Sequence, residues 1–370
     1  MSASAPGMRR PERVPAGTAV IDCDVHVAPA APEVLFPHLS AHWREVLSTT
    51  QFRGPTDTAY PPGAATSARA ELLEEGGGPP GSSLDQVQRQ LLDPWDVEVA
   101  LLTPSYAVES VHNPDAAAAL ASAVNDWQRD EWLVADPRLR GSVVVPSAVP
   151  ALAAAEIDRV GADPRFVQVL LPVRSLMPYG NRNHLPTFEA AARNELAVAL
   201  HFGGASGNPP TSTGWPTRYI EEYVDMAGVF QSQVMNLIAE GVFDRYPELR
   251  VVLAESGFAW LPAFLWRFDR LWRGLHREIP WTKRAPSQVV REQVRVTLQP
   301  IDGPGDPEGF ARLLDLLGSD ELLLFSTDYP HRQFDDPDGA LPPGVDGDAL
   351  AAILAGNARR FYRLDGAPGA

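Results

Sequence analysis

Cysteine and lysine are almost missing from this chain: Cys23 is the single cysteine and Lys283 the single lysine among 370 residues. One thiol cannot build an intrachain disulfide framework, and its scarcity fits a reducing compartment. With Lys and Arg together numbering 31, 30 arginines carry nearly all the positive charge. They fall short of 47 acidic residues, and the formal net charge is −16. That balance speaks against a nucleic-acid or anionic-membrane partner, each of which needs a basic face. No apolar run reaches the ~18–20 residues that cross a bilayer. The opening M-S-A-S-A-P-G-M-R-R-P-E-R is polar and has no apolar signal core, so a cytoplasmic protein is expected. No G-x-G-x-x-G or P-loop follows an apolar run, which removes the usual mark of a nucleotide fold.

What is present is a regular rhythm. With 45% hydrophobic residues the chain can bury a large core. Residues 1–19, small and polar with three prolines, read as a flexible arm, and residues 20–370 as one domain. Apolar strand runs lie at 20–26, 97–103, 139–145, 166–171, 196–201, 249–254, 294–298 and 322–325. After the first, each is separated from the next by a helix-period segment, at 114–135, 151–160, 185–194, 219–241, 261–276 and 307–317; residues 348–362 make the last helix. Asn113 or Asp115 can cap the alanine-rich helix that begins at Pro114. Residues 30–83, rich in proline and glycine, are too long for an ordinary connection and read as an insertion after the first strand. Continuous apolar strands alternating with amphipathic helices call for a parallel sheet covered by helices, and eight units fit a (β/α)8 TIM barrel. A doubly wound open sheet is the alternative.

In such a barrel, chemistry sits at the C-terminal ends of the strands. The polar groups that interrupt or end the apolar runs fall there: Asp24 and His26, His201, Glu255, Gln299 and Asp328. Burying a carboxylate or imidazole without a partner costs several kcal/mol. On a strand of period two, Asp22, Asp24 and His26 share one face, and an acid and an imidazole two apart can hold a divalent cation. The plainer alternative is that Asp24 and His26 bond each other; singly, His201, Glu255 and Asp328 also have structural explanations. Cys23 falls on the opposite face and reads as a buried thiol. Arg174, closing L-P-V-R, can grip a substrate carboxylate or lie on the surface, and His331 can face the pocket or solvent. Trp260 is a candidate pocket wall, and Gln299 a neutral donor. His38, His42, His112, His184 and His276 have no partner at ligand spacing.

The order of I-D-C-D-V-H at 21–26, A-L-H-F-G-G at 199–204, R-Y-P-E-L-R-V-V-L-A-E-S-G-F-A-W-L-P at 245–262, F-S-T-D-Y-P-H at 325–331 and G-N-A-R-R-F-Y at 356–362 resembles the amidohydrolase superfamily. Within it, the pattern is similar to the branch containing aminocarboxymuconate-semialdehyde decarboxylase and γ-resorcylate decarboxylase. The resemblance implies one divalent metal, zinc or alternatively manganese, on Asp24, His26, His201 and Asp328. Asp328 is the expected general base, His201 a ligand or an orienting group and Glu255 a candidate acid/base or substrate-orienting group, while Gln299, Arg174, Trp260 and His331 are candidate substrate contacts by their positions alone. Asp24 stands where many members carry histidine or glutamate, and Glu255 where the decarboxylases usually carry histidine. No lysine lies on the fourth strand to bridge two metals. The expected activity is hydrolysis of a carbonyl-centred C–N or C–O bond in a small organic or aromatic substrate, with Asp328 as general base to a metal-activated water. The alternatives are non-oxidative decarboxylation or hydration of an aromatic or muconate-type acid, and a barrel that binds without catalysis. The resemblance also implies a homodimer.

Overall fold

The computed structural model describes residues 8–55, 60–61, 69–74, 78–104, 106–204, 207–334 and 337–364. Eight strands run in the order β1 to β8: Ile21–Val27, Val99–Pro104, Leu139–Val144, Phe166–Pro172, Ala197–His201, Val251–Ala254, Val294–Thr297 and Leu323–Leu324. Every neighbouring pair is parallel. The seam closes where the Cys23 amide donates to the Phe325 carbonyl (2.9 Å) and the His26 amide to Tyr329 (2.8 Å). The sheet is thus the expected eight-stranded barrel with helices outside. β8 is shorter than its apolar run, because the chain leaves the ladder at Phe325 and reaches β1 through these two bonds.

The two faces of each strand enter different packings, as expected of strands covered on both sides. Val25, Val27, Ala100, Leu102, Val198 and Leu200 join the large cluster beneath the helices. Ile21, Cys23, Leu101, Ala197, Ala199 and Leu324 join a smaller cluster inside the barrel. Alternation along β1 is broken, however. Its register against β2 shifts between Asp22 and Val25. Cys23 therefore packs inside the barrel beneath the mouth, buried as expected. Asp22 leaves the Asp24/His26 face and turns to β8, where it accepts from the Thr327 amide (3.0 Å) and hydroxyl (2.6 Å). The shared face predicted for all three residues is corrected by this irregularity.

The helix Pro114–Trp127 is capped by Asn113, whose side chain accepts from the amides of Asp115 (3.0 Å) and Ala116 (3.1 Å). Of the expected arm, residues 1–7 lie outside the described residues. The rest is packed, not free: the Met8 amide donates to Gln90 (2.7 Å), Arg10 Nη1 to the Trp95 carbonyl (2.7 Å), and Val14 is buried. The described part of the insertion holds a 3-10 segment, Pro32–His38, and a helix, Ala41–Ser48. Its return meets the end of β1 at Gly81, whose φ is +81° and where a Cβ would come 2.5 Å from the His26 carbonyl oxygen. Only glycine fits so close an approach at that angle. Gln90, within a π turn at Gln88–Leu92, ties this region to the barrel mouth: it donates to the Leu72 carbonyl (3.0 Å) and accepts from the Tyr329 hydroxyl (2.6 Å).

Candidate metal centre

The side chains at the mouth follow from the strand phases. His201 extends the inward row of Ala197 and Ala199, and Thr103 extends that of Val99 and Leu101. After the irregularity in β1, Asp24 and His26 join them. Glu255 and Asp328 arrive by another route: both are non-glycine residues in the left-handed region, at φ 57° and 55°. That conformation costs of order 1 kcal/mol for an L-residue and concentrates at functional sites. It aims each carboxylate at the barrel axis just past a strand end.

Two groups of ligand-capable atoms result, each within 4.8 Å: Asp24, His26 and His201, and His26 with Glu255, Asp328 and His331. His26 belongs to both. Its Nε2 lies 2.9 Å from Asp328 Oδ1 and 3.6 Å from Asp24 Oδ1, while His201 Nε2 lies 3.4 Å from Asp24 Oδ2. All four residues expected to hold the metal are therefore gathered at one rim. Asp24 Oδ1 accepts from the Thr103 hydroxyl (2.6 Å). His201 Nδ1 lies 2.9 Å from the Phe202 carbonyl, which can only accept, so Nδ1 carries a proton and Nε2 faces Asp24. Asp328 is backed by His331 Nδ1 (2.8 Å) and Gln333 Nε2 (2.5 Å), and Gln333 in turn bonds the Tyr223 hydroxyl.

The fit to a cation rests on atoms and charge. Among the described residues, Asp24 Oδ2 and His201 Nε2 are buried without a hydrogen-bond partner. Burial disfavours a charged His201, yet the charge of Asp24 outweighs it and pushes the ring up to about 10. Burial likewise opposes ionisation of Asp328, but His331 and His26 hold it well below the usual carboxylate range. The charge of Asp24 thus favours the charged form of His201, and a divalent cation held by these residues would supply the same neutralising charge in place of that proton. Burial, then the charge of Asp328, pushes Glu255 up to about 8. Imidazole with carboxylate is a donor set that zinc and manganese both accept.

From this cluster a cavity of about 520 Å³ opens outward, lined by His26, His201, Glu255 and His331 at its base. Tyr106, Phe202, Tyr219 and Tyr223 stand along its walls. His331 thus faces the pocket, one of the two alternatives open in the sequence. Three expected substrate contacts do not line it. Arg174 is buried against Glu222, Nη2 to Oε1 3.2 Å, so its charge is met within the protein. Gln299 is buried and its amide donates to the Ala340 carbonyl (3.2 Å). Trp260 packs on Phe264 and its indole donates to the Ser256 carbonyl (3.0 Å), which turns the ring away. Thr103, Tyr223 and Gln333 were not foreseen. Thr103 carried the same signal as His201, a polar residue ending an apolar run, but it is not ionisable; Tyr223 and Gln333 carried none.

The amidohydrolase family model matches residues 21–364. The γ-resorcylate decarboxylase of Rhodococcus jostii (strain RHA1) is 26% identical over 287 residues, which cover 70% of this chain and 84% of that protein. An amidohydrolase from Mycobacterium avium subsp. paratuberculosis K-10 has the same fold, with a TM-score of 0.70 at 20% identity over 93% of this chain and 98% of that one. A dihydroxybenzoic acid decarboxylase from Polaromonas sp. JS666, solved with bound manganese and 2-nitroresorcinol, gives a TM-score of 0.64 at 20% identity over 94% and 98%. The branch expected from the motifs is the one these relatives occupy. With its match running from the first residue of β1 to Leu364, the chain belongs to the amidohydrolase family and is an enzyme of that superfamily.

Proposed function

We propose that the protein is a metal-dependent, non-oxidative decarboxylase of a small hydroxylated aromatic acid. The observation that carries the reading is a cavity walled by aromatic rings that ends directly on the Asp24, His26, His201 and Asp328 cluster. The curated relatives that match the chain are γ-resorcylate decarboxylases, which favours this reaction over the hydrolysis expected from Glu255. Asp24, His26, His201 and Asp328 would hold a divalent cation, which would supply positive charge for an anionic substrate at the end of the cavity. Manganese is the better choice over zinc, because two carboxylates harden the donor set and a structural neighbour holds manganese.

The reaction replaces a ring carbon–carboxylate bond by a carbon–hydrogen bond and releases carbon dioxide, so one proton must be delivered. Glu255 faces the cavity, and burial with the neighbouring charge of Asp328 raises its pKa, which suits it to hold and deliver that proton. His331, whose Nδ1 lies 3.5 Å from Glu255 Oε1 and which Asp328 holds in its charged form, resupplies that proton, and Tyr223 sets the ring against the wall. Positioned proton transfer of this kind contributes about 10²–10⁴-fold in rate.

The test is carbon dioxide release from γ-resorcylate and other hydroxybenzoates by protein purified without chelator and assayed for metal content. Chelation should abolish turnover and Mn²⁺ should restore it better than Zn²⁺. Glu255→Gln and Asp328→Asn should each lose about 10²–10⁴-fold. Turnover of lactones or cyclic amides with no hydroxybenzoate consumed would return the site to hydrolysis, and a metal-free, inert protein would make it a binding module.

A further inference from the structure

We propose that the opposite end of the barrel carries a second binding site, for an organic anion whose carboxylate or phosphate group is taken by Arg140 and Arg250. The inference does not depend on the reaction at the mouth. A cavity of about 440 Å³ lies there, a size that suits a small organic ligand. Arg140 is at the start of β3, Phe166 opens β4, and Leu196 and Arg250 immediately precede β5 and β6. Arg250 and Glu255 thus bracket β6, one at each end, and the two cavities are separated by the length of the strands.

Its charge is the reverse of the chain's. In a protein of net charge −16, this cavity is lined by Arg140, Arg165, Arg250 and Arg363 against the single acid Glu195. Two of the four are already matched: Arg165 pairs with Asp163 (2.6 Å), and Arg363 reaches Glu195 and Glu248 (3.4 Å each). The other two donate only to backbone carbonyls, and Arg250 also lies over the Phe361 ring (5.9 Å to its centroid). Arg140 is 7% exposed and gives Nη1 to the carbonyls of Pro137 and Leu139, both at 2.8 Å. Arg250 gives its two terminal nitrogens to the carbonyls of Phe361 and Glu195. Among the described residues neither makes an ion pair, and burial lowers the pKa of both. Arg140 is buried and Arg250 half-buried, and a guanidinium withdrawn from water without a counter-ion is costly. Its remaining N–H groups form a fork suited to a carboxylate or phosphate. Leu133, Val134, Phe166, Val167 and Leu196 supply an apolar wall, so the ligand carries an apolar body besides its anionic group.

Titration of the full chain with benzoate, phenyl phosphate and inorganic phosphate, read by calorimetry and saturation-transfer NMR, tests this. Benzoate or phenyl phosphate should still bind after the metal has been removed by chelation, and the tighter of the two identifies the anionic group. Arg250→Gln should weaken that binding at least 10-fold. Val134→Glu keeps the backbone staples and places a negative charge on an exposed rim residue; it should weaken binding at least 5-fold. The proposal is overturned if chelation removes all binding, if both variants bind as the parent does, or if inorganic phosphate binds as tightly as phenyl phosphate. It is also overturned if the residues after Leu364 fill the cavity, which would appear as no binding by any of the three probes.

Discussion

Thr103→Val exposes the logic of the metal centre to a direct measurement. The Thr103 hydroxyl donates to Asp24 Oδ1 at 2.6 Å, and both residues are buried. Valine keeps the shape and removes the donor. A hydrogen bond to a charged acceptor contributes about 1.5–3 kcal/mol. Loss of a group that orients a metal ligand typically weakens metal affinity about 10–100-fold. These ranges agree, since tenfold in affinity is about 1.4 kcal/mol. The expected result is a Kd for Mn²⁺ raised about 10–100-fold with turnover at saturating metal nearly kept.

Chelator competition reads that affinity, and thermal unfolding with and without metal reads it independently. At a metal concentration of 100 times the parent Kd, binding stabilises the parent by about 2.7 kcal/mol. At the same concentration the variant should gain only about 0.4–1.4 kcal/mol. Thr103→Ser, which retains the hydroxyl, should recover most of the difference. If the valine variant bound Mn²⁺ as tightly as the parent, Asp24 would not be a ligand, and the placement of the cation at this rim would fail with it.

Other perturbations test separate parts of the structure. Arg174→Met removes the guanidinium that faces buried Glu222 and should cost about 3–5 kcal/mol in chemical denaturation; a change confined to KM would instead restore Arg174 as a substrate contact. Gly81→Ala forces a Cβ to within 2.5 Å of the His26 carbonyl at a positive φ, and should cost about 1–3 kcal/mol, seen as a lower Tm. Burial lowers the pKa of His184 below its ordinary 6.5. Its contribution to stability is therefore full above that value, and is lost as pH falls through the folded value. His184→Phe should accordingly lose less stability between pH 7.5 and 5 than the parent, measured by urea unfolding at about five pH values.

Strand number, strand order and the mouth of the barrel were legible because each rests on a local pattern: an apolar run, its period, and the polar residue that ends it. His26, His201, Glu255 and Asp328 all obey that rule. Alternation failed at one place, between Asp22 and Val25, where the shift in register turns one carboxylate to Thr327 and the next to the mouth. Nothing in I-D-C-D-V-H marks which residue absorbs the shift, because it is set by pairing with β2 and β8, far along the chain.

The misplaced substrate contacts share a second cause. Arg174, Gln299 and Trp260 were placed by their position after a strand, but a side chain with several donors goes to whatever acceptor packing brings near. For Arg174 that is Glu222, 48 residues on; for Gln299 it is the Ala340 carbonyl, 41 residues on. Trp260 finds its acceptors within its own turn. The residues at the rim escape this fate for a physical reason. Once Asp24 Oδ1 has taken the Thr103 hydroxyl and His201 Nδ1 the Phe202 carbonyl, Asp24 Oδ2 and His201 Nε2 are left buried and facing each other, a pair that packing elsewhere does not satisfy. Convergence of ionisable groups on several strand ends therefore carries more information than any one polar residue at a strand end. Thr103 shows its limit, since a neutral group that bonds one of the converging carboxylates leaves no charge in the sequence to be noticed.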